Sequence, residues 1–235
     1  ALRKAAIAML PITAACATAG VVVGVLMLTG LGLRLSSIMI SMAGGNLPLL
    51  LVLTMIASLI LGMGVPATAA YIILAVLAAP ALIQLGVDQL AAHMFVFYFG
   101  VISNITPPVA VAAFVAAGIA GESPNRVGLE AFRIGSVAFL IPFMFVYGPE
   151  LLLMNPDPVR LAVSLVTATV GVICLAAGMQ GWLLARLVAW ERIILLVAAI
   201  LFVVPHTLPD LVGMVGLLLI LARAHHRKRH PKVAD

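Results

Sequence analysis

The sequence predicts an all-α polytopic membrane protein that contains a re-entrant helical hairpin and a broken transmembrane helix. Three observations predict it. Of 235 residues, 64% are apolar and 9% charged, with a mean hydropathy of +1.26, whereas soluble domains carry roughly a quarter charged residues. The apolar residues gather in runs long enough to cross a hydrocarbon core of about 30 Å. Two stretches deep within those runs, Leu61-Gly-Met-Gly-Val-Pro-Ala-Thr-Ala-Ala-Tyr71 and Ser103-Asn-Ile-Thr-Pro-Pro-Val109, interrupt the helical pattern with glycines and prolines. In hydrocarbon an unpaired backbone group costs several kcal/mol, so irregular backbone persists there only where protein wraps it or it lines a wet cavity. Two such breaks suggest one site.

The chain starts at Ala1 rather than Met, and the apolar run after Arg3-Lys4 is too long and too Gly-rich for a secretory signal, so we expect the back part of a longer protein. A first span is predicted from about Ala6 to Thr29. Its Ala, Gly and Thr content suits close helix packing. Gly32 to Ala43 mixes Leu33, Ile38, Ile40 and Met42 with Arg34, Ser36, Ser37 and Ser41, which reads as an interfacial amphipathic helix. Gly44-Gly45-Asn46 breaks the chain. The apolar run Leu47 to Leu61 then falls short of the ~20 residues a crossing needs. Pro66 stands where a first-turn proline belongs, and Ala67 to Gln84 resumes as helix. Two short helices meeting at a Gly-Pro tip make a re-entrant hairpin. The alternative, one long helix kinked at Pro66, is disfavoured by the short first arm.

Asp88 is a candidate N-cap for a helix from Leu90 to Ser103. Pro107 and Pro108 remove two N–H donors and disfavour helical geometry at Thr106, so this span breaks at SNITPPV and continues from Ala110 to Ala120. Gly121 to Arg126 is predicted as a loop, Ala131 to Tyr147 as the next span, and Pro149 to Pro158 as its closing turn. Beyond lie a span over Leu161 to Ala177, an amphipathic stretch from Gln180 to Glu191, and two short apolar runs, Ile193 to Val204 and Leu211 to Leu221. Either two thin crossings or a membrane hairpin accommodates those runs. Both cysteines, Cys16 and Cys174, sit in apolar runs and read as packing residues. With this topology, all of the thirteen Lys and Arg residues except Arg34 and Arg160 fall on one face. Positive charge marks the cytoplasmic side, so the hairpin should enter from outside and the C-terminus lie inside. The net charge of +5 is concentrated in the tail from Arg223 to Lys232, a cytoplasmic flank rather than a nucleic-acid surface.

Broken membrane helices turn half-helix N-termini toward anionic groups and exposed C-terminal carbonyls toward cations. The first break supplies backbone at Gly62, Met63 and Gly64 together with the Thr68 hydroxyl. The second supplies Ser103, Asn104, the Thr106 hydroxyl and carbonyls freed by the prolines. These are neutral oxygen donors, suited to Na⁺ or to a carboxylate held by N–H groups. Candidate Na⁺ ligands are therefore Gly62, Gly64, Ser103, Asn104 and Thr106, and candidate solute contacts are Gly64, Pro66, Thr68, Asn104 and Pro107. The spans hold no acidic residue, which favours Na⁺ over H⁺ coupling. His93 has no second metal-ligating residue at helical spacing and reads as polar glue between helices. His206 reads as interfacial. Met63, Met94 and Met144 read as packing, and Tyr71, Tyr98, Tyr147, Trp182 and Trp190 as interface anchors, with Tyr71 and Tyr98 near enough to the breaks to reach the cavity instead. No catalytic residue, organic cofactor or nucleotide-binding motif is found.

The stretches LILGMGVPATAAYIILAVLAAPALIQLGV, HMFVFYFGVISNITPPVAVAAFVAAGIAG and AFRIGSVAFLIPFMFVYGPELLL resemble the large membrane subunit of tripartite ATP-independent periplasmic (TRAP) transporters, in the subtype that fuses the small and large membrane subunits. The likeness covers about residues 5 to 154. Residues 160 to 222 resemble the extra C-terminal membrane region of that subtype. The resemblance implies an elevator-type transporter built from inverted repeats. Residues 1–154 would be the second repeat, with a scaffold helix, an arm helix, the hairpin at 47–84, the broken helix at 88–120 and a closing helix at 129–148. The first repeat, and the small subunit or its fused equivalent, would lie upstream. Residues 155–223 would be the extra membrane region and 224–235 a basic cytoplasmic tail. It further implies Na⁺-driven uptake of a carboxylated solute, such as a C4-dicarboxylate, delivered by a periplasmic binding protein to the bacterial inner membrane. Relatives place an acidic residue near the hairpin tip and a glycine after TPPV, where this chain has Pro66 and Ala110.

Two other classes compete with a carrier. A polytopic enzyme acting on lipid should show acidic or His clusters at an interface, and the sequence offers scattered single residues. A channel should show a repeated filter or a ring of pore charges, and neither is visible.

Overall fold

Gly30 takes a left-handed backbone (φ 67°) between α1 (Leu2–Thr29) and α2 (Leu31–Ala43), and the two helices diverge there by 74°. The computed structural model describes residues 2–154, 157–203 and 207–229. The chain divides into two compact units, Ala1–Phe132 and Arg133–Asp235.

In the first unit the helix expected over 32–43 is present as α2, and its orientation explains the mixture of apolar and polar residues. It buries small residues, Gly32, Ser36 and Ala43 with Met39, while Leu33, Ile38 and Met42 point outward. A helix bathed in lipid needs no apolar face turned inward, so small residues that permit close approach are the ones buried. Ser36 Oγ donates to Leu77 O at 3.2 Å, and a Cβ on Gly32 would lie 3.2 Å from Val76 O. That contact sits at a kink. Pro80 has no N–H to offer Val76 O, so the helix expected over 67–84 divides into α4 (Ala67–Leu77) and α5 (Ala79–Gln84).

α3 (Leu47–Gly62) is capped by Asn46, whose Oδ1 accepts the Leu49 N–H at 3.1 Å. After the turn Met63–Pro66 the chain comes back alongside itself, since α3 touches α5 as well as α4. Pro66 (φ −55°, ψ 140°) stands one place before the first helical residue, the N-cap and not the first turn. Asp88 caps α6 (Gln89–Ile102) as expected, accepting from Leu90 N at 2.7 Å and Ala91 N at 3.3 Å. α6 ends in a 3-10 turn, Ser103–Ile105, followed by a cis Pro107-Pro108 bond, and α7 (Val111–Ala120) resumes beyond. Taken singly, α3, α6 and α7 are short for a crossing. The loop expected over 121–126 is confined to Gly121–Ser123, because Pro124 already opens α8 (Pro124–Gly135) with φ suited to a first turn.

The span expected over 131–147 is interrupted. Pro142 cannot donate to the carbonyl four residues earlier, and the backbone tightens to 3-10 over Ser136–Phe139 before α9 (Ile141–Tyr147). In the second unit α10 (Pro158–Gln180), capped by Asp157, contains the predicted Leu161–Ala177 span. The amphipathic stretch over 180–191 is mostly a turn, with helix only from Ala189. Gly181 (φ 72°) and Leu184 (φ 59°) are both left-handed, which stops a helix, and Trp182–Leu183 pairs with Ala185–Arg186 in a tight antiparallel turn. α11 (Ala189–Leu201) and α12 (Thr207–Arg229) follow. Helices approach closely at α10 glycines. A Cβ on Gly171 would lie 3.0 Å from Phe202 Cβ and Met144 Cε, and one on Gly178 would lie 3.0 Å from the Leu196 side chain. Met144 and Cys174 are buried in this core, as packing residues should be. α12 carries helix through the first part of the predicted tail, to Arg229. His206 and Lys232 lie outside the described residues.

Among the described residues, the stretches 67–84, 124–147 and 158–180 are long and apolar enough to cross a bilayer, and the bent pair α1 and α2 adds a fourth. The chain is thus a polytopic, all-α membrane protein apart, among the described residues, from one short β hairpin at 182–186.

Candidate functional site

Gly62 is where the two breaks meet. It is buried at the end of α3, and a Cβ there would fall 2.7 Å from Ser103 Oγ, 3.0 Å from Gly100 O and 3.1 Å from Gly100 Cα. Hydrogen in place of a side chain lets the tip of one broken element rest on the backbone of the other. Gly64, at φ 74°, needs glycine for its conformation, and a Cβ on it would lie 3.7 Å from Val109 Cγ1. Both glycines of the first break therefore face the second, 41 and 45 residues further on.

The polar groups of the second break turn their hydrogens back onto their own helix. Ser103 Oγ donates to Gly100 O at 2.6 Å and Thr106 Oγ1 to Ile102 O at 2.9 Å; both residues are buried. With its hydrogen committed, each hydroxyl oxygen offers only lone pairs to a third partner. Asn104 Nδ2 donates to Val101 O at 3.2 Å, leaving Oδ1 as the acceptor of that amide. Backbone carbonyls are arranged similarly. Gly62 O accepts Val65 N–H, Ser103 O accepts Thr106 N–H and Thr106 O accepts Ala110 N–H, and a carbonyl with one lone pair used still has another. No charged residue occurs in 62–68 or 103–110. Among the described residues no cluster of His, Cys, Asp and Glu could hold a metal, so a cation here would be met by neutral oxygen alone.

Pro66 and Thr68 lie exposed at the start of α4 and Pro107 is half-buried in the second break. The half-helices α4 and α7 begin at these breaks and turn N–H groups toward them. Ala110, standing where a glycine is expected, is fully buried and held at φ 35°. A left-handed non-glycine residue costs about 1–2 kcal/mol, strain stored directly against the break.

Three residues of the site escape sequence reasoning. Gly100 is one: its own missing Cβ faces Leu74 Cδ1 at 3.1 Å while its backbone receives Gly62, so one α6 glycine admits both arms of the hairpin. Thr54 and Ser58 are the others. Both are fully buried, their hydroxyls have no hydrogen-bond partner, and they precede Gly62 by eight and four residues on the same face of α3. The signal was the four-residue spacing Thr54, Ser58, Gly62 in an otherwise aliphatic helix. Around the site, Tyr71 on α4 ties the hairpin to α6: its hydroxyl bonds His93 Nδ1 at 3.2 Å and its ring meets Phe97 edge-on at 5.6 Å. His93 is polar glue between helices, as its isolation in the sequence implied.

The family described as Tripartite ATP-independent periplasmic transporter, DctM component, matches residues 1–158, and a domain of unknown function (DUF3394) matches residues 161–213. No curated protein and no solved structure matches the chain. The first match takes in both breaks and every candidate ligand, and it spans 158 of the 235 residues. On that match, the chain belongs to the DctM component family and is part of the membrane permease of a tripartite ATP-independent periplasmic transporter.

Proposed function

We propose that the permease is a Na⁺-coupled symporter for carboxylated organic solutes, working in the bacterial inner membrane with its C-terminus in the cytoplasm. The reading is supported first by the packing of Gly62 on Gly100 and Ser103, which merges two stretches of bare backbone into one polar locus. The donor set fits a hard monovalent cation. Carbonyls of Gly62 and Gly64, the Ser103 and Thr106 hydroxyls and Asn104 Oδ1 are neutral oxygens, which bind Na⁺ without the full charge that would capture divalent ions. A bound Na⁺ would supply positive charge beside the N-termini of α4 and α7, and a carboxylate would be drawn to the same locus. Gly64, Pro66, Thr68, Asn104 and Pro107 would form the solute wall. Coupling follows, because each charge raises the affinity for the other.

In this reading α3 to α5 form a re-entrant hairpin open to the periplasm. It moves with the broken helix α6 and α7 as one elevator body, clamped by the Tyr71–His93 bond. A periplasmic binding protein delivers the solute, and a small membrane subunit or its fused equivalent supplies the fixed frame. The test is uptake by the complete transporter in proteoliposomes, with and without Na⁺ and the binding protein. Uptake should require both. Equal uptake when either is omitted refutes the coupling.

A further inference from the structure

The C-terminal region matched to a domain of unknown function has an amphipathic groove of its own. α11 and α12 run antiparallel, since Glu191 and Trp190 at the start of α11 meet Arg223 near the end of α12. Between them lies a groove of about 330 Å³, within the size range of small-ligand sites. Its walls are Ile193, Val197 and Leu201 on α11 and Val212, Val215 and Leu219 on α12. Of these, Ile193, Val197, Val212, Val215 and Leu219 are each more than half exposed, an apolar surface facing outward. Gly213 and Gly216 let α12 close on Phe202 and Ile194, so the channel is bounded by the flanking aliphatic chains.

One end of this groove is chemically different. Trp190 lies three residues before Ile193 and Arg223 four residues after Leu219, so each continues its helix's groove wall. There the Arg223 guanidinium sits 4.8 Å from the centroid of the Trp190 ring. Its Nε is 3.7 Å from Glu191 Oε1 and its side chain is 60% exposed, which leaves the paired Nη donors for two oxygens of an oxyanion. Glu191, fully buried, is engaged by the Val188 N–H at 3.0 Å. Positive charge exceeds negative at this end. Arg133 and Arg192 both bond the last carbonyls of α10, at Gly178, Met179 and Gln180. Trp182, 60% exposed, stands at the same end of α10.

We propose that the α11–α12 groove, closed by Arg223 over Trp190, is a binding site for an anionic phospholipid, with an acyl chain in the groove and the phosphate on the Arg223 guanidinium. An apolar channel exposed along its length and ending in a cation beside an indole matches a molecule with a hydrocarbon chain and a negative head. A partner helix would satisfy the channel but not the cation. The proposal stands apart from the transport reading and survives its failure.

The chain has two tryptophans, so Trp182→Phe leaves Trp190 as the reporter at the mouth of the groove. The purified full chain carrying this change is placed in bilayers containing phosphatidylglycerol or phosphatidylcholine brominated near the head of the acyl chain. Brominated phosphatidylglycerol should quench Trp190 with about fivefold higher apparent affinity, the factor that one basic residue gives at an anionic surface. Val215→Phe, on an exposed wall, should abolish the preference by filling the groove. The pair Glu191→Gln with Arg223→Gln should abolish it without stranding a buried carboxylate. Equal quenching by the two lipids overturns the proposal. So does a preference that survives Val215→Phe, which would mean surface attraction alone, and so does a Trp190 shielded from both lipids by a second copy of the chain.

Discussion

Placing a methyl group on Gly62 tests the central geometry directly. The Cβ of Gly62→Ala would lie 2.7 Å from Ser103 Oγ and 3.0–3.1 Å from the Gly100 backbone. The serine oxygen could swing aside only by giving up its 2.6 Å bond to Gly100 O, and the Gly100 backbone, locked in α6, cannot yield without moving the helix. Overpacking of this kind costs about 1–3 kcal/mol. Alanine's better helix propensity returns at most ~1 kcal/mol, and less at the last residue of α3, so the net destabilisation should be about 1–2 kcal/mol. Ser103→Ala on its own removes one hydrogen bond. In the double variant it also removes the closest clash, so the two changes should couple by about 0.5–1 kcal/mol in the rescuing direction. The assay is thermal unfolding of the purified protein in detergent, paired with the Na⁺ dependence of uptake by the complete transporter. Gly62→Ala should lower both the melting temperature and the apparent Na⁺ affinity, with Ser103→Ala recovering part of the first. A Gly62→Ala protein with wild-type melting and wild-type Na⁺ activation would mean that the two breaks do not touch, and the site would fall with them.

Other outcomes follow from the same structure. Thr106→Ala and Asn104→Ala should each weaken Na⁺ activation of uptake severalfold while membrane insertion, followed by protease protection, stays intact. Ala110→Gly should be within about 1 kcal/mol of neutral in stability, because relief of roughly 1–2 kcal/mol of left-handed strain offsets a buried methyl worth ~0.8 kcal/mol. Ala110→Val, β-branched at φ 35°, should cost more than about 2 kcal/mol in the same melt. Arg192→Met should destabilise by about 1.5–3 kcal/mol, since a charged donor is lost from Gly178 O at 2.8 Å and Met179 O at 3.1 Å. Arg133→Met should cost less, its bond to Gln180 O being exposed.

Much of this protein was legible from local chemistry. Asp88, the expected N-cap, caps α6 because a short side-chain acceptor before a helix has few other uses. The breaks at Gly62 to Pro66 and Thr106 to Pro108 appear because proline lacks an N–H wherever it stands. Gly62 and Ser103, both named as candidate ligands, are joined in space. Gly100, Thr54 and Ser58 were overlooked because a small or hydroxyl residue within a membrane helix reads as ordinary packing until its neighbour is known. The hairpin within the amphipathic stretch 180–191 was not legible, because it turns on Leu184, whose left-handed backbone no residue preference announces.

By itself, then, the sequence determined that the chain is a bundle of membrane helices, where those helices begin and where two of them are broken. These features depend on backbone donors, acceptors and φ limits within a few residues of each position. Only the tertiary structure decided that Gly62 rests on Gly100 and Ser103, that Arg133 and Arg192 close the same end of α10, and that Arg223 lies over Trp190. Such pairings join residues tens of positions apart, and in lipid no hydrophobic gradient selects which helix faces meet. Close van der Waals fit and the demand of every buried polar group for a partner select them instead, and those are properties of the packed molecule.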